Sequence, residues 1–175
     1  MKIYTTGSFD ILHRGHFNIL TQAAALGDLI VGIQSDEWIE KQKGRRPILT
    51  TEERIAQIRA LPFVKEVIEY GDPDQRPIYD QIRPDAIVQG DDWLYSADRS
   101  DLIAYLKEKN IRLILLPRTE GISTTEIRKR VERSKRNDEK FLLDRVRMVP
   151  IEDLRLYEKF DSDKVSRLME AIGKD

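Results

Sequence analysis

The chain has 175 residues, enough to bury a sizeable core in one domain and to carry an appendage. Hydrophobic residues make up 40%, charged residues 35%, and the formal net charge is -1, so no overall field gathers nucleic acid or a membrane surface. Cysteine is absent, which excludes disulfides, a thiolate nucleophile and thiolate zinc sites.

No long apolar run follows Met1, so neither a signal peptide nor a spanning helix is expected, and the reading is of a soluble, cytoplasmic protein. "KIYTTG" reads as a strand ending in glycine. "HFNILTQAAALGD" reads as a helix with Phe17, Leu20, Ala23, Ala24 and Leu26 as its apolar residues, stopped at Gly27. "LIVGIQ" is a short apolar run of the kind that forms a strand covered on both faces. "IEKQKGRRPIL" reads as a basic loop, and Thr50 or Thr51 followed by Glu52 and Glu53 as a helix start leading into "RIAQIRAL". "VKEVIEY" and "DAIVQG" are further strands, with the helix "QRPIYDQIR" between them ending before Pro84. "DLIAYLKEKN" is a helix, "IRLILLP" a strand, and "STTEIRKRV" a helix with a hydroxyl cap.

Strands alternating with helices predict an α/β fold, a Rossmann-like, doubly wound five-stranded parallel sheet, with a C-terminal helical/strand extension. Ligands of such sheets lie beyond the carboxyl ends of the strands. The expected organisation is a domain over 1–131, a charged helical linker over 132–147 and a C-terminal extension over 148–175.

The chain's two histidines, His13 and His16, both fall in "GSFDILHRGH" at the first strand-to-helix turn. Two histidines three apart suit a metal pair, a phosphate site or coincidence. The zinc reading is weakened by the lack of cysteine and of a third histidine. The preceding strand, Gly7, Ser8 and Gly15 favour the phosphate: backbone N–H groups and a helix N-terminus converge there, and Gly15 permits close backbone approach. "RTEGISTTEIRKR" offers a second such start. Ser123, Thr124 and Thr125 supply hydroxyl and N–H donors, and Arg118 a forked cation; a plain capping arrangement with Glu126 is the alternative. "QGDDW" puts Asp91, Asp92 and Trp93 at a strand's carboxyl end, where turn chemistry is the alternative. Asp10 either orients substrate or Mg2+ or caps the helix.

"GSFDILHRGH", "GDDW" and "RTEGISTT" together resemble the HxGH nucleotidyltransferase superfamily, in particular its cytidylyltransferase branch and the glycerol-3-phosphate enzymes, over about residues 1–131. The resemblance implies transfer of CMP from CTP to a phosphorylated alcohol, with Mg2+ bound mainly through the triphosphate rather than by side chains. It implies His13, His16, Lys43 and Arg118 as catalytic residues. It implies a nucleotide site of Thr6, Gly7, Ser8, Phe9, Gly15, Arg54, Gly90, Arg118, Thr119, Gly121, Ile122, Ser123 and Thr124. Asp10, Lys41, Asp91, Asp92 and Trp93 are implied at the acceptor. The lead acceptor is glycerol 3-phosphate; phosphoethanolamine, phosphocholine, phosphoserine or another polyol phosphate are alternatives, as is adenylyl transfer of the FAD-synthetase type or a non-catalytic nucleotide-binding module. A homodimer is implied, with no nucleic-acid or membrane partner. One departure stands out: Pro62 in "LPFVKEV" occupies a place where close relatives carry arginine, leaving Arg59 as a substitute.

Two further segments bear on partners. The run Arg128, Lys129, Arg130, Arg133, Lys135 and Arg136 is interleaved with acids and lacks aromatics, so it reads as a solvated helix face rather than a nucleic-acid surface. "VPIEDLRLYEKFDSDKVSRLMEAIGKD" resembles the opening strand and helix of ParB/sulfiredoxin-like domains, which include serine kinases; a short strand and helix packed on the domain is the alternative.

Overall fold

In a computed structural model, residues 1–95 and 99–145 are described. Met1–Arg130 forms one compact unit, and Val131–Asp175 is a second. The first unit is built on five strands: β1 (Lys2–Gly7), β2 (Asp28–Gln34), β3 (Val64–Tyr70), β4 (Ala86–Gly90) and β5 (Arg112–Leu116). They form one sheet in the order β3-β2-β1-β4-β5, with every pairing parallel. The order reverses between β1 and β4, which opens a crevice beyond Gly7 and Gly90. The α/β, Rossmann-like expectation is met.

Both faces of the sheet are covered, as the continuous apolar strands require. On one side Ile3, Leu29, Val31, Ile33 and Val88 pack with Leu20, Ala23 and Ile58. On the other, Tyr4, Ile30 and Ile87 pack with Tyr79, Ile82 and Leu106.

The helices are α1 (Arg14–Ala24), α2 (Asp36–Lys43), α3 (Thr51–Arg59), α4 (Arg76–Ile82), α5 (Ser100–Glu108) and α6 (Thr124–Arg145). Helix α1 begins two residues before the expected start because the His13 side chain caps it. The expected basic loop is partly helical: Ser35 caps α2, and Gly44 (φ 64°) ends it in the left-handed conformation that favours glycine. Thr50 and Glu53 close a reciprocal capping box on α3. Helix α6 runs without a break from Thr124 into residues 131–145 of the second unit. The expected extension over 148–175 lies outside the described residues. No helix among the described residues is long and apolar enough to cross a membrane.

Candidate active site

The crevice holds a cleft of about 410 Å3. The β1–α1 turn supplies Thr6, Gly7, Ser8, Phe9, Asp10, His13, Gly15 and His16. The chain around α2 adds Lys43, Arg45 and Pro47, the β4 end adds Gln89, Gly90 and Asp92, and the stretch after β5 adds Arg118, Thr119, Ile122, Ser123, Thr124 and Thr125. Residues more than a hundred positions apart in sequence thus meet at two helix starts, the ends whose dipoles favour an anion.

The first turn is held in an uncommon backbone shape. Phe9 adopts φ 46°, sparsely populated for a residue with a bulky side chain, and its buried ring, 3% exposed, packs into the core and holds it there. The ring also meets His16 edge-on at 5.1 Å between centroids. His13 Nδ1 accepts the Gly15 N–H at 3.1 Å and the His16 N–H at 3.4 Å. An accepting Nδ1 leaves the ring proton on Nε2, so neutral His13 keeps a donor at the nitrogen its cap does not use. A methyl group on Gly15 would lie 3.1 Å from the His13 ring, which is why the residue between the histidines is best without a side chain.

Both histidines are held below their ordinary range. For His16 burial, then the neighbouring His13, brings the pKa down to about 4. For His13 burial acts first and the Arg118 cation second. Lys43, whose Nζ lies 3.5 Å from Ser8 Oγ, is likewise lowered, by burial and then by Arg45. Arg118 pairs with Asp92 at 2.8 Å across the cleft. Two contacts tie the second motif to α1: Asn18 donates to Thr119 Oγ1 at 2.9 Å, and Arg14 to the Glu120 carbonyl at 3.2 Å.

Two expected ligand-contacting residues are placed differently. Arg54 is fully buried and does not line the cleft. Its guanidinium donates to the carbonyls of Leu49, Ser8 and Gln34, to Thr51 Oγ1 and to Asp36. It therefore fixes the carbonyl of Ser8 from behind the turn instead of reaching a phosphate. Asp10 borders the cleft, yet its oxygens are engaged: Oδ1 accepts the N–H groups of Ile48 and Leu49, and Oδ2 pairs with Arg128. It does not cap α1 either, since His13 does so.

Four more expected residues fall outside the main cleft. Lys41 is exposed, with its ammonium 5.9 Å from the Trp38 ring centroid. Asp91 and Trp93 belong to a short 3-10 turn over Asp91–Tyr95, where the Arg99 guanidinium sits 4.7 Å from the centre of the Trp93 ring. Gly121 (φ 71°) lines a second, adjoining depression that shares Arg118, Thr119 and Ser123 with the main cleft. Pro62 and Arg59 are exposed and absent from the cleft wall. Sequence reasoning missed Gln89, which donates to Thr6 Oγ1 at 3.1 Å and joins β4 to β1 at the cleft floor; nothing in a strand sequence marks it.

Residues 4–130 match the Cytidylyltransferase-like family. The chain belongs to that family. An ethanolamine-phosphate cytidylyltransferase of Dictyostelium discoideum is 39% identical over 129 residues, 73% of this chain and 35% of that protein. A FAD synthase of Thermococcus sibiricus is 43% identical over 114 residues, 63% of this chain and 75% of that protein. Among solved structures, a lipopolysaccharide core biosynthesis protein from Thermoplasma volcanium superposes with a TM-score of 0.57 at 28% identity, covering 68% of this chain and 96% of that one. The chain spans about a third of the length of the ethanolamine-phosphate enzymes it matches, 35% and 31%.

Proposed function

We propose that the protein transfers CMP from CTP to a small phosphorylated alcohol, releasing pyrophosphate. The observation that carries this reading is the meeting, in one cleft, of the His13–His16 turn and the Ser123–Thr125 helix start, with Lys43 and Arg118 beside them. The acceptor's phosphate oxygen attacks the α-phosphorus of the nucleotide in line, and the bond to pyrophosphate breaks. A phosphate monoester is ionised near neutral pH, so no protein nucleophile is needed, and catalysis rests on positioning and charge stabilisation.

In this reading His13 and His16 donate to the α- and β-phosphate oxygens as charge grows there. His13 does so from Nε2, the nitrogen its cap leaves free. Lys43 and Arg118 hold the outer phosphates, Arg118 exchanging Asp92 for phosphate oxygens. Freed in that exchange, the Asp92 carboxylate faces the acceptor. Mg2+ enters this reading as a partner of the triphosphate oxygens rather than of side chains. When bound there it neutralises charge on the leaving pyrophosphate.

Two acceptor chemistries are favoured, each on a different ground. The ethanolamine-phosphate enzymes support CTP with phosphoethanolamine, while the sequence motifs favour glycerol 3-phosphate. A second reading, transfer of AMP from ATP, is supported by the FAD synthase, three-quarters of whose length is matched. Pyrophosphate release, measured with Mg2+ while crossing CTP and ATP against glycerol 3-phosphate, phosphoethanolamine, phosphocholine, phosphoserine and FMN (the acceptor of a FAD synthase), separates them. CTP-dependent release with one acceptor is expected; release with ATP alone selects the adenylyl reading.

A further inference from the structure

The basic run at the start of α6 contains one residue that does not face solvent as a charged helix surface would. Arg128 turns inward, and its guanidinium meets Asp10 Oδ2 at 2.6 Å. Asp10 is only 4% exposed. Its second oxygen accepts the N–H of Ile48 at 2.7 Å and of Leu49 at 3.0 Å. One buried carboxylate thus joins three stretches of chain: the β1–α1 turn, the segment between α2 and α3, and the first turns of α6.

That middle segment matters because of what flanks it. Lys43 ends α2 and Arg45 follows Gly44, and both line the cleft. At its far end Leu49 is held twice, its N–H by Asp10 and its carbonyl by Arg54. Without the Arg128 cation, Asp10 would be a buried carboxylate that has lost its ion pair and keeps two amide donors and the more distant Lys43 ammonium. Arg128 itself is not part of the cleft wall, so it does not touch substrate. It lies one helical turn beyond Thr124, on the turn that begins at the phosphate-type helix start.

We propose that Arg128 is a positioning residue which, through Asp10, holds the 44–50 segment so that Lys43 and Arg45 face the triphosphate, and so couples the two phosphate-binding helix starts. The proposal rests on the nucleotidyl-transfer reading for its functional consequence, but not for its structural one. A phosphate gripped at Ser123–Thr125 steadies the first turns of α6; the Arg128–Asp10 pair passes that restraint to the segment beyond Lys43.

Two readouts on the full chain test it: equilibrium binding of CTP and of ATP, and amide hydrogen exchange. Arg128→Gln is expected to weaken nucleotide binding about tenfold and to speed exchange at Ile48 and Leu49, with the β1–β2 ladder amides unchanged. Lys43→Ala should weaken binding clearly in the wild-type background and far less in Arg128→Gln, because Lys43 is then no longer held in place. Arg128→Lys should restore most of the affinity. If Arg128→Gln does not fold, Asp10→Asn keeps an oxygen for the two amides while removing the charge that meets Arg128, and the same loss of Lys43 coupling is expected. Additive effects of the Arg128 and Lys43 substitutions, or unchanged exchange at Ile48 and Leu49, overturn the proposal. If the wild-type protein binds neither nucleotide, the functional reading has failed, and the exchange result alone decides whether Arg128 positions the segment.

Discussion

The imidazole rings of His13 and His16 stack face to face, 3.7 Å between centroids and 17° between planes. Two cations at that spacing repel strongly, and burial adds to the cost of charging either ring. Both rings therefore rest neutral at pH 7, as donors that need no counter-ion until phosphate arrives.

This has a consequence for stability. In the unfolded chain His16 takes its proton near 6.5, and in the folded protein only near 4. Between those values the unfolded state binds more protons, so stability is fully present above about pH 6.5 and falls as the pH drops towards 4. The full effect is about 3 kcal/mol. Urea midpoints at pH 7 and pH 4.5 measure it, and His16→Gln should flatten the difference.

His13 has two separable tasks, capping α1 through Nδ1 and donating into the cleft through Nε2. Asparagine can cap in the same way but cannot reach the second position. His13→Asn should therefore keep wild-type stability and lose turnover by about a hundredfold or more. His13→Ala should lose turnover and, in addition, about 1 kcal/mol of stability. Thermal melts alongside pyrophosphate assays distinguish the two substitutions.

Arg54 is the largest fully buried side chain among the described residues, and its charge is matched by Asp36 and three backbone carbonyls. Arg54→Met removes the partner of a largely buried carboxylate and leaves those carbonyls unsatisfied, at a cost of about 3–5 kcal/mol. Lysine cannot reproduce the planar fork, so Arg54→Lys should recover only part of that loss. Chemical denaturation gives both values. Nucleotide affinity should fall as well, because the Ser8 carbonyl loses its anchor.

Arg118 and Asp92 are each 59% exposed, so their pairing is weak and easily exchanged. Asp92→Asn removes a competitor for Arg118. Triphosphate binding should then tighten by roughly two- to fivefold at low salt, with the gain shrinking as salt is added. Acceptor KM should rise in the same variant if the freed carboxylate faces the acceptor.

Much of the architecture was legible because apolar runs such as "LIVGIQ" and "AIVQG" have the length of buried strands and alternate with amphipathic helices. Helix α2 escaped because "DEWIEKQK" buries only Ile39; its signals were Ser35 before it and Gly44 after it, which charge obscured. The motif residues His13, His16, Lys43, Arg118 and Ser123 line one cleft. Arg54 lies behind the cleft and Asp10 on its border with both oxygens engaged. Neither placement was legible, for one physical reason: a charged residue that meets a ligand and one that meets the protein's own backbone or an ion-pair partner look alike in sequence. Only folding revealed that Arg54 meets carbonyls and Asp10 meets Arg128, 118 positions away.

The central claim is that a phosphorylated acceptor takes the nucleotide's α-phosphorus in this cleft. Its most direct test is to follow α-labelled CTP, with Mg2+ and the acceptor panel, through wild-type protein and His13→Asn. The account predicts label in a CDP-alcohol, equimolar pyrophosphate, and both products formed about a hundredfold or more slowly by the folded His13→Asn protein. Label found only in free CMP, or a CDP-alcohol formed equally well by His13→Asn, would contradict it.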